Sequence, residues 1–181
     1  GMSEGKYTTL GWCEHYDLLS WINYIVRIDP ESEIVLYGQG IGAVAVMNAC
    51  GDFMPSNVSI AIEEGGASGI KELLSYGLKK TFKTDAKLIL PSVDMFIKQA
   101  LHFSIQDVST KHQLQNSRLP VMFIHGSNDP IVPTSMVFDN FYSCTSLKDI
   151  MVVDNAEHMN CNKNTSYYTR IFNFIDTYSK C

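Results

Sequence analysis

Ile34-Val-Leu-Tyr-Gly-Gln-Gly-Ile-Gly-Ala-Val-Ala-Val-Met-Asn-Ala49 decides the fold class. The unbroken apolar run Ile34–Tyr37 reads as a strand buried on both faces of a parallel sheet. The glycine-rich turn Gly38-Gln39-Gly40-Ile41-Gly42 follows it, and the small residues Ala43–Ala49 suit a helix packed closely on that strand. Outward from this unit the pattern repeats. Asn57–Ile62, Val121–Ile124 behind Pro120, and Asp149–Val153 read as three further strands.

Helical periodicity fills the spaces between them. Asp17–Val26 carries Leu18, Trp21, Ile22, Ile25 and Val26 on one stripe, and Asp29-Pro30 ends it, because proline disfavours helix at the residue before it. Ile70–Phe82 places Leu73, Leu74, Leu78 and Phe82 on one face, with Leu73, Leu74 and Leu78 read as core. Pro91–Phe103 opens with a proline, which suits a first turn. Asp107–Gln115, Pro133 or Thr134 to Tyr142, and Thr165–Tyr178 complete the set, the last with Ile171, Phe172, Phe174 and Ile175 inward. Alternating strands and helices specify a mainly parallel sheet between two helical layers. Residues 1–181 read as one domain, with a mostly helical insertion over 63–119 between the second and third strands.

Composition excludes several classes. The chain has 14 basic and 19 acidic residues, a net charge of −5, with no basic block that would suit nucleic acid. It holds no apolar run of membrane-spanning length. Gly1-Met2-Ser3 carries neither the basic nor the apolar region of a signal peptide. A glycine ahead of a methionine reads as a tag scar, with the natural start expected at Met2. Five scattered cysteines (Cys13, Cys50, Cys144, Cys161, Cys181) lack metal or disulfide spacing, so free thiols in the cytoplasm are expected. The histidines (His15, His102, His112, His125, His158) have no short ligand spacing, so no metal or other cofactor is expected. The turn at 38–42 lacks the Lys-Ser/Thr of a phosphate loop. Cys161, three residues from His158, is read as structural rather than as a nucleophile.

Chemistry in open α/β sheets gathers at the carboxyl ends of the strands. Three motifs lie there: the turn at 38–42, His125-Gly-Ser-Asn-Asp-Pro-Ile-Val-Pro133, and Asn155-Ala-Glu-His158. Singly, each suits a tight turn, a cap or a surface histidine. An elbow, then an acid, then a histidine, each at a strand end, is the chain order of a hydrolase triad.

On these residues the chain resembles the α/β-hydrolase superfamily, in its bacterial branch of small esterase- and peptidase-like proteins. The likeness extends through Ser3–Trp12, the Asp17-Leu-Leu-Ser-Trp21 helix, the HGxxDxxVP loop and His158. The resemblance implies Asp129 as the triad acid, His158 as the base, the Ile41 N–H as an oxyanion donor and Gln39 as a substrate-binding neighbour. It departs at the nucleophile, where the G-x-S-x-G serine is replaced by Gly40. Glycine tolerates the positive-φ elbow that strains other residues, so the turn is expected to survive without its chemistry. Ser32, Ser68 and Ser127 do not occupy the apex.

The family's N-terminal strands, one of which leads into a loop with a second oxyanion donor, have no counterpart here. The strands present then correspond to the last four, which makes Ile34–Tyr37 an edge and predicts a homodimer or another chain to cover it, the alternative being that the Asp17–Val26 helix and the Gly5–Trp12 segment fold over it. Serine-hydrolase activity is expected to be absent or impaired. The expected ligand is a small ester, amide or acyl compound. The alternatives are an interaction module or remnant of a longer hydrolase, and a weak hydrolase that uses water activated by His158.

Overall fold

A computed structural model describes residues 4–180. Four parallel strands, β1 (Ile34–Gln39), β2 (Val58–Glu64), β3 (Val121–Gly126) and β4 (Lys148–Val153), pair in chain order. Seven α-helices surround them: α1 (Glu14–Ile28), α2 (Ile41–Ala49), α3 (Ile70–Phe82), α4 (Ala86–Leu101), α5 (Thr110–Gln115), α6 (Ser135–Ser143) and α7 (Tyr167–Tyr178). The expected parallel α/β sandwich is what forms. The chain-start residues Gly1, Met2 and Ser3, and Cys181, lie outside the described residues.

Strand alternation divides the core in two. Leu36, Ala61, Val121 and Phe123 turn to one face, where they meet Ile22 of α1, Val46 and Met47 of α2, Leu114 of α5 and Val137 of α6. Ile60, Ile62, Met122 and Ile124 turn to the other and meet Ile171 and Phe174 of α7. Both central strands, β2 and β3, are buried at every position.

β1 departs from the two-faced burial expected of it. Ile34, Leu36 and Gly38 are buried, but Val35 and Gln39 are only half covered and Tyr37 is exposed. β1 is an edge strand, and α7 leaves its outward face partly open. An apolar run therefore did not guarantee two covered faces.

Five helix readings also need correction. In α1 only Ile22 is fully buried among the apolar positions, with Leu18, Leu19 and Val26 packed beside it. Trp21 is 63% and Ile25 40% exposed, and together with Tyr24 and Ile28 they form an outward apolar ridge. In α7, Phe172 points outward, and in α3 so does Phe82. Pro91 does not open its helix. Asp85 caps α4 by accepting from the Lys87 N–H at 2.9 Å, so the helix starts a turn earlier and carries Pro91 inside. The helix expected from Asp107 begins at Thr110.

α3 and α4 form a hairpin around Ile70, Leu90, Ile105 and Val108, with Leu74 and Leu78 half-buried against them. Leu73 packs instead toward Ala67 and Val132. The loop ahead of α1 is gathered by one carboxylate. Glu14 accepts from the Thr8 and Thr9 hydroxyls and from the Thr9 and Gly11 N–H groups at 2.5–3.0 Å.

Candidate active site

Gly40 stands between β1 and α2 with φ 55 and ψ −115, a backbone that a side-chain-bearing residue adopts only under strain. Its N–H donates to the Glu64 carbonyl at 2.9 Å, which fixes the turn against β2. Ile41 follows as the first residue of α2, so its N–H is among those a helix leaves without an internal partner.

Asp129 lies in the loop after β3. Its Oδ1 accepts from the Ile131 and Val132 N–H groups at 2.8 and 2.9 Å, so the loop backbone itself holds the carboxylate in place. Its Oδ2 lies 2.6 Å from Nδ1 of His158 and 3.4 Å from Nε2 of His125. Burial pushes this carboxyl up, but the bonds from His125, His158 and the two N–H groups outweigh burial and hold it at about 2. Asp129 is therefore ionised and accepting, which assigns a proton to Nδ1 of His158, so that in the neutral ring Nε2 carries the lone pair.

That lone pair faces position 40. A Cβ built on Gly40 would lie 3.4 Å from His158 Nε2 and 3.0 Å from Met159 Sδ. The imidazole is seated against Gly65, whose φ is 69 and where a Cβ would come within 3.4 Å of Cε1 and Nδ1. Gly40, with Ile41 next to it in the chain, thus lies beside the His158–Asp129 pair. Gln39 is turned to the opposite side of β1, where its Nε2 donates to Glu64 Oε2 at 2.8 Å.

Sequence reasoning missed two buried acids behind this site. Glu64 Oε2 accepts from Tyr37, Gln39 and Tyr167, the last at 2.6 Å, and Oε1 accepts from the Cys161 N–H. Burial raises this carboxyl, but the bonds from Tyr167, Gln39 and Tyr37 prevail and lower it below its ordinary value. Cys161 belongs to this cluster. Burial and the neighbouring Glu64 push its thiol up to about 12, which suits a structural residue.

Glu63 faces the other way. Its cross-strand partner is Phe123, so His125, two residues on, shares its face. Glu63 Oε2 accepts from the Gly66 N–H at 2.9 Å, whereas Glu63 Oε1 and His125 Nδ1 are buried without hydrogen-bond partners. Burial above all drives Glu63 up to about 8, although the nearby His125 opposes it. His125 donates from Nε2 to the Val132 carbonyl at 3.0 Å. Burial lowers its pKa, but Asp129, Val132 and Glu63 together raise it above the ordinary value. The only sequence sign of these acids was Glu63-Glu64 at the end of an apolar strand.

Among the described residues, no group of three or more His, Cys, Asp or Glu side chains is arranged to hold a metal, and no helix is long and apolar enough to cross a membrane.

Comparison with known proteins supports the same architecture. No family model matches the chain. The uncharacterized protein YqkD of Bacillus subtilis (strain 168) is 25% identical over 179 residues, covering 97% of this chain. The chain spans 59% of that relative's length. Among solved structures, the Pyrococcus furiosus esterase Pf2001 superposes with a TM-score of 0.74 at 18% identity, over 98% of this chain and 67% of the esterase. The Pyrococcus horikoshii acylaminoacyl peptidase gives 0.67 at 18%, over 94% of this chain and 28% of the peptidase. MGS-MChE2, an alpha/beta hydrolase enzyme from a lagoon-sediment metagenome, gives 0.61 at 15%, over 90% of this chain and 70% of its own. The fold is that of the α/β-hydrolases.

Proposed function

We propose that this chain is an ester- or amide-hydrolase-type protein that keeps the acid and base of a triad and lacks its nucleophile. On this reading it holds a small ester, amide or acyl compound beside His158 and does not form an acyl-enzyme. The observation that carries the reading is the Asp129–His158 contact of 2.6 Å, with Nε2 aimed at a position whose only side chain is a hydrogen. The paired imidazole is oriented as a general base, and glycine offers it no hydroxyl to deprotonate.

The test compares short-chain p-nitrophenyl ester hydrolysis by the wild type, Asp129→Asn and His158→Ala. All three are expected at the uncatalysed rate. Hydrolysis by the wild type that both substitutions abolish would establish attack by a His158-activated water and overturn the reading. A second arm uses Gly40→Ser combined with Met159→Ala, which clears the sulfur lying 3.0 Å from the new Cβ. That variant is expected to be labelled by a fluorophosphonate, because its hydroxyl comes within reach of Nε2, whereas the wild type stays unlabelled at position 40.

We further infer that a second copy of the chain covers β1. The free edge of β1, the exposed Tyr37 and the apolar ridge of α1 support this.

A further inference from the structure

A groove of about 1060 Å³ opens between α3 and α4, and neither Gly40, Asp129 nor His158 lines it. Five lysines do: Lys71, Lys79, Lys83, Lys87 and Lys98. They concentrate charge in a chain whose overall sign is opposite. Between positions 71 and 98 fall six of its 14 basic residues but only three of its 19 acidic ones.

The two aspartates in the groove are already engaged. Asp94 is buried and accepts from Lys98 at 2.9 Å, from the Ser104 hydroxyl at 2.7 Å and from the Ile105 N–H at 2.9 Å. Asp85 caps α4. Lys71, Lys79, Lys83 and Lys87 have no ion-pair partner among the described residues. Unpaired cations around one concavity repel each other and favour an anion between them.

The rest of the wall is aliphatic. Ala86, Leu90, Pro91, Met95 and Ile105 line it, with Met95 68% exposed. No aromatic ring is present to stack a nucleobase, and no arginine to grip a phosphate in two places. The groove is concave, of ligand size, and combines an apolar lining with a few charges at its rim. It lies on a different face of α3 from the one that meets the acid loop, since Leu73 packs toward Val132 and Lys80 bonds the Pro130 carbonyl.

We propose that the α3–α4 groove binds an anionic single-chain amphiphile, a long-chain aliphatic carboxylate, with its head among the lysines and its chain along Leu90, Pro91, Met95 and Ile105. The inference stands apart from the fate of position 40, because no residue of the acid–histidine site takes part.

Calorimetric titration of the full chain with dodecanoate, below its micelle concentration, tests it. Dodecanoate is expected to bind at least about ten-fold more tightly than dodecyltrimethylammonium, which has the same chain and the opposite head. Lys79→Glu with Lys83→Glu, both at exposed positions, is expected to weaken dodecanoate about ten-fold or more with an unchanged circular dichroism spectrum. Met95→Asp is expected to weaken it as well. Equal affinity for the two amphiphiles, or indifference to both substitutions, would overturn the proposal. Retention on phosphatidylglycerol vesicles without binding of monomeric dodecanoate would also overturn it, in favour of a membrane surface. Loss of binding in His158→Ala would place the ligand at the acid–histidine site instead.

Discussion

At position 40 the backbone holds a positive φ, and the His158 imidazole, paired with Asp129, lies against it. Fixing this geometry at the level of single residues left two acids, Glu63 and Glu64, inside the molecule with opposite fates. Glu64 is satisfied by hydroxyls and an amide, whereas Glu63 is held largely in its protonated form by burial. The raised pKa of Glu63 has a definite consequence for pH. A carboxyl whose folded value is about 8 binds its proton more tightly in the native state than in the unfolded one. Stability from this group is therefore complete in mild acid and is lost as pH rises toward 8. His125, also raised, acts in the same sense as pH climbs through its own folded value. Asp129, held at about 2, acts oppositely, and its contribution fades only as pH falls below the ordinary carboxylate range. Melting temperature is thus expected to decline between about pH 5 and pH 8, and Glu63→Gln, which mimics the protonated acid, should flatten that decline. An equally steep decline in the variant, followed by differential scanning fluorimetry, would exclude Glu63 as its source.

Among the elements, the contact between α7 and β2 has a polar centre. Tyr167 donates to Glu64 at 2.6 Å and lies 2.7 Å from the Tyr37 hydroxyl, so it ties the last helix to both β2 and the edge strand. Tyr167→Phe leaves a buried carboxylate one donor short and is expected to cost about 1–3 kcal/mol in urea denaturation. A change below about 0.5 kcal/mol would mean that Tyr37 and Gln39 suffice. This contact was invisible in the sequence because it joins residues 103 positions apart. What the sequence did disclose is local. Apolar runs located all four strands, and the order of motifs singled out Gly40, Asp129 and His158, which the fold brings side by side. It misjudged elements wherever a neighbour decided the outcome. Trp21 and Ile25 satisfied a helical stripe, yet α2 accommodates only the narrower row through Ile22. Pro91 suited a first turn, but Asp85 offered a cap one turn earlier. Glu63, Gly65 and Met159 acquire meaning only from what the fold brings beside them.

For the whole molecule, β1 is one of the two edges of the sheet. Among the described residues no strand pairs with its outer edge, and a groove of about 370 Å³ lies between its open face and α7. Trp21, Tyr24, Ile25 and Ile28 add an apolar ridge on α1. Self-association through this side is expected to appear in multi-angle light scattering as a mass of about twice 20.3 kDa, and Trp21→Glu with Ile28→Lys is expected to return the monomer. A monomeric wild type at high concentration would exclude the second copy. The strand order has a different consequence, one of time. Because β1, β2, β3 and β4 pair in the order in which they occur, no strand need wait for a partner made after its other neighbour. A chain emerging from the ribosome could close β1 on β2 early, across a short helical crossover. It would then pause while the far longer stretch through α3, α4 and α5 is synthesised before β3 can dock. Loop closure grows costlier with length, so the interval between β2 and β3 is where the half-built sheet stays exposed longest during synthesis.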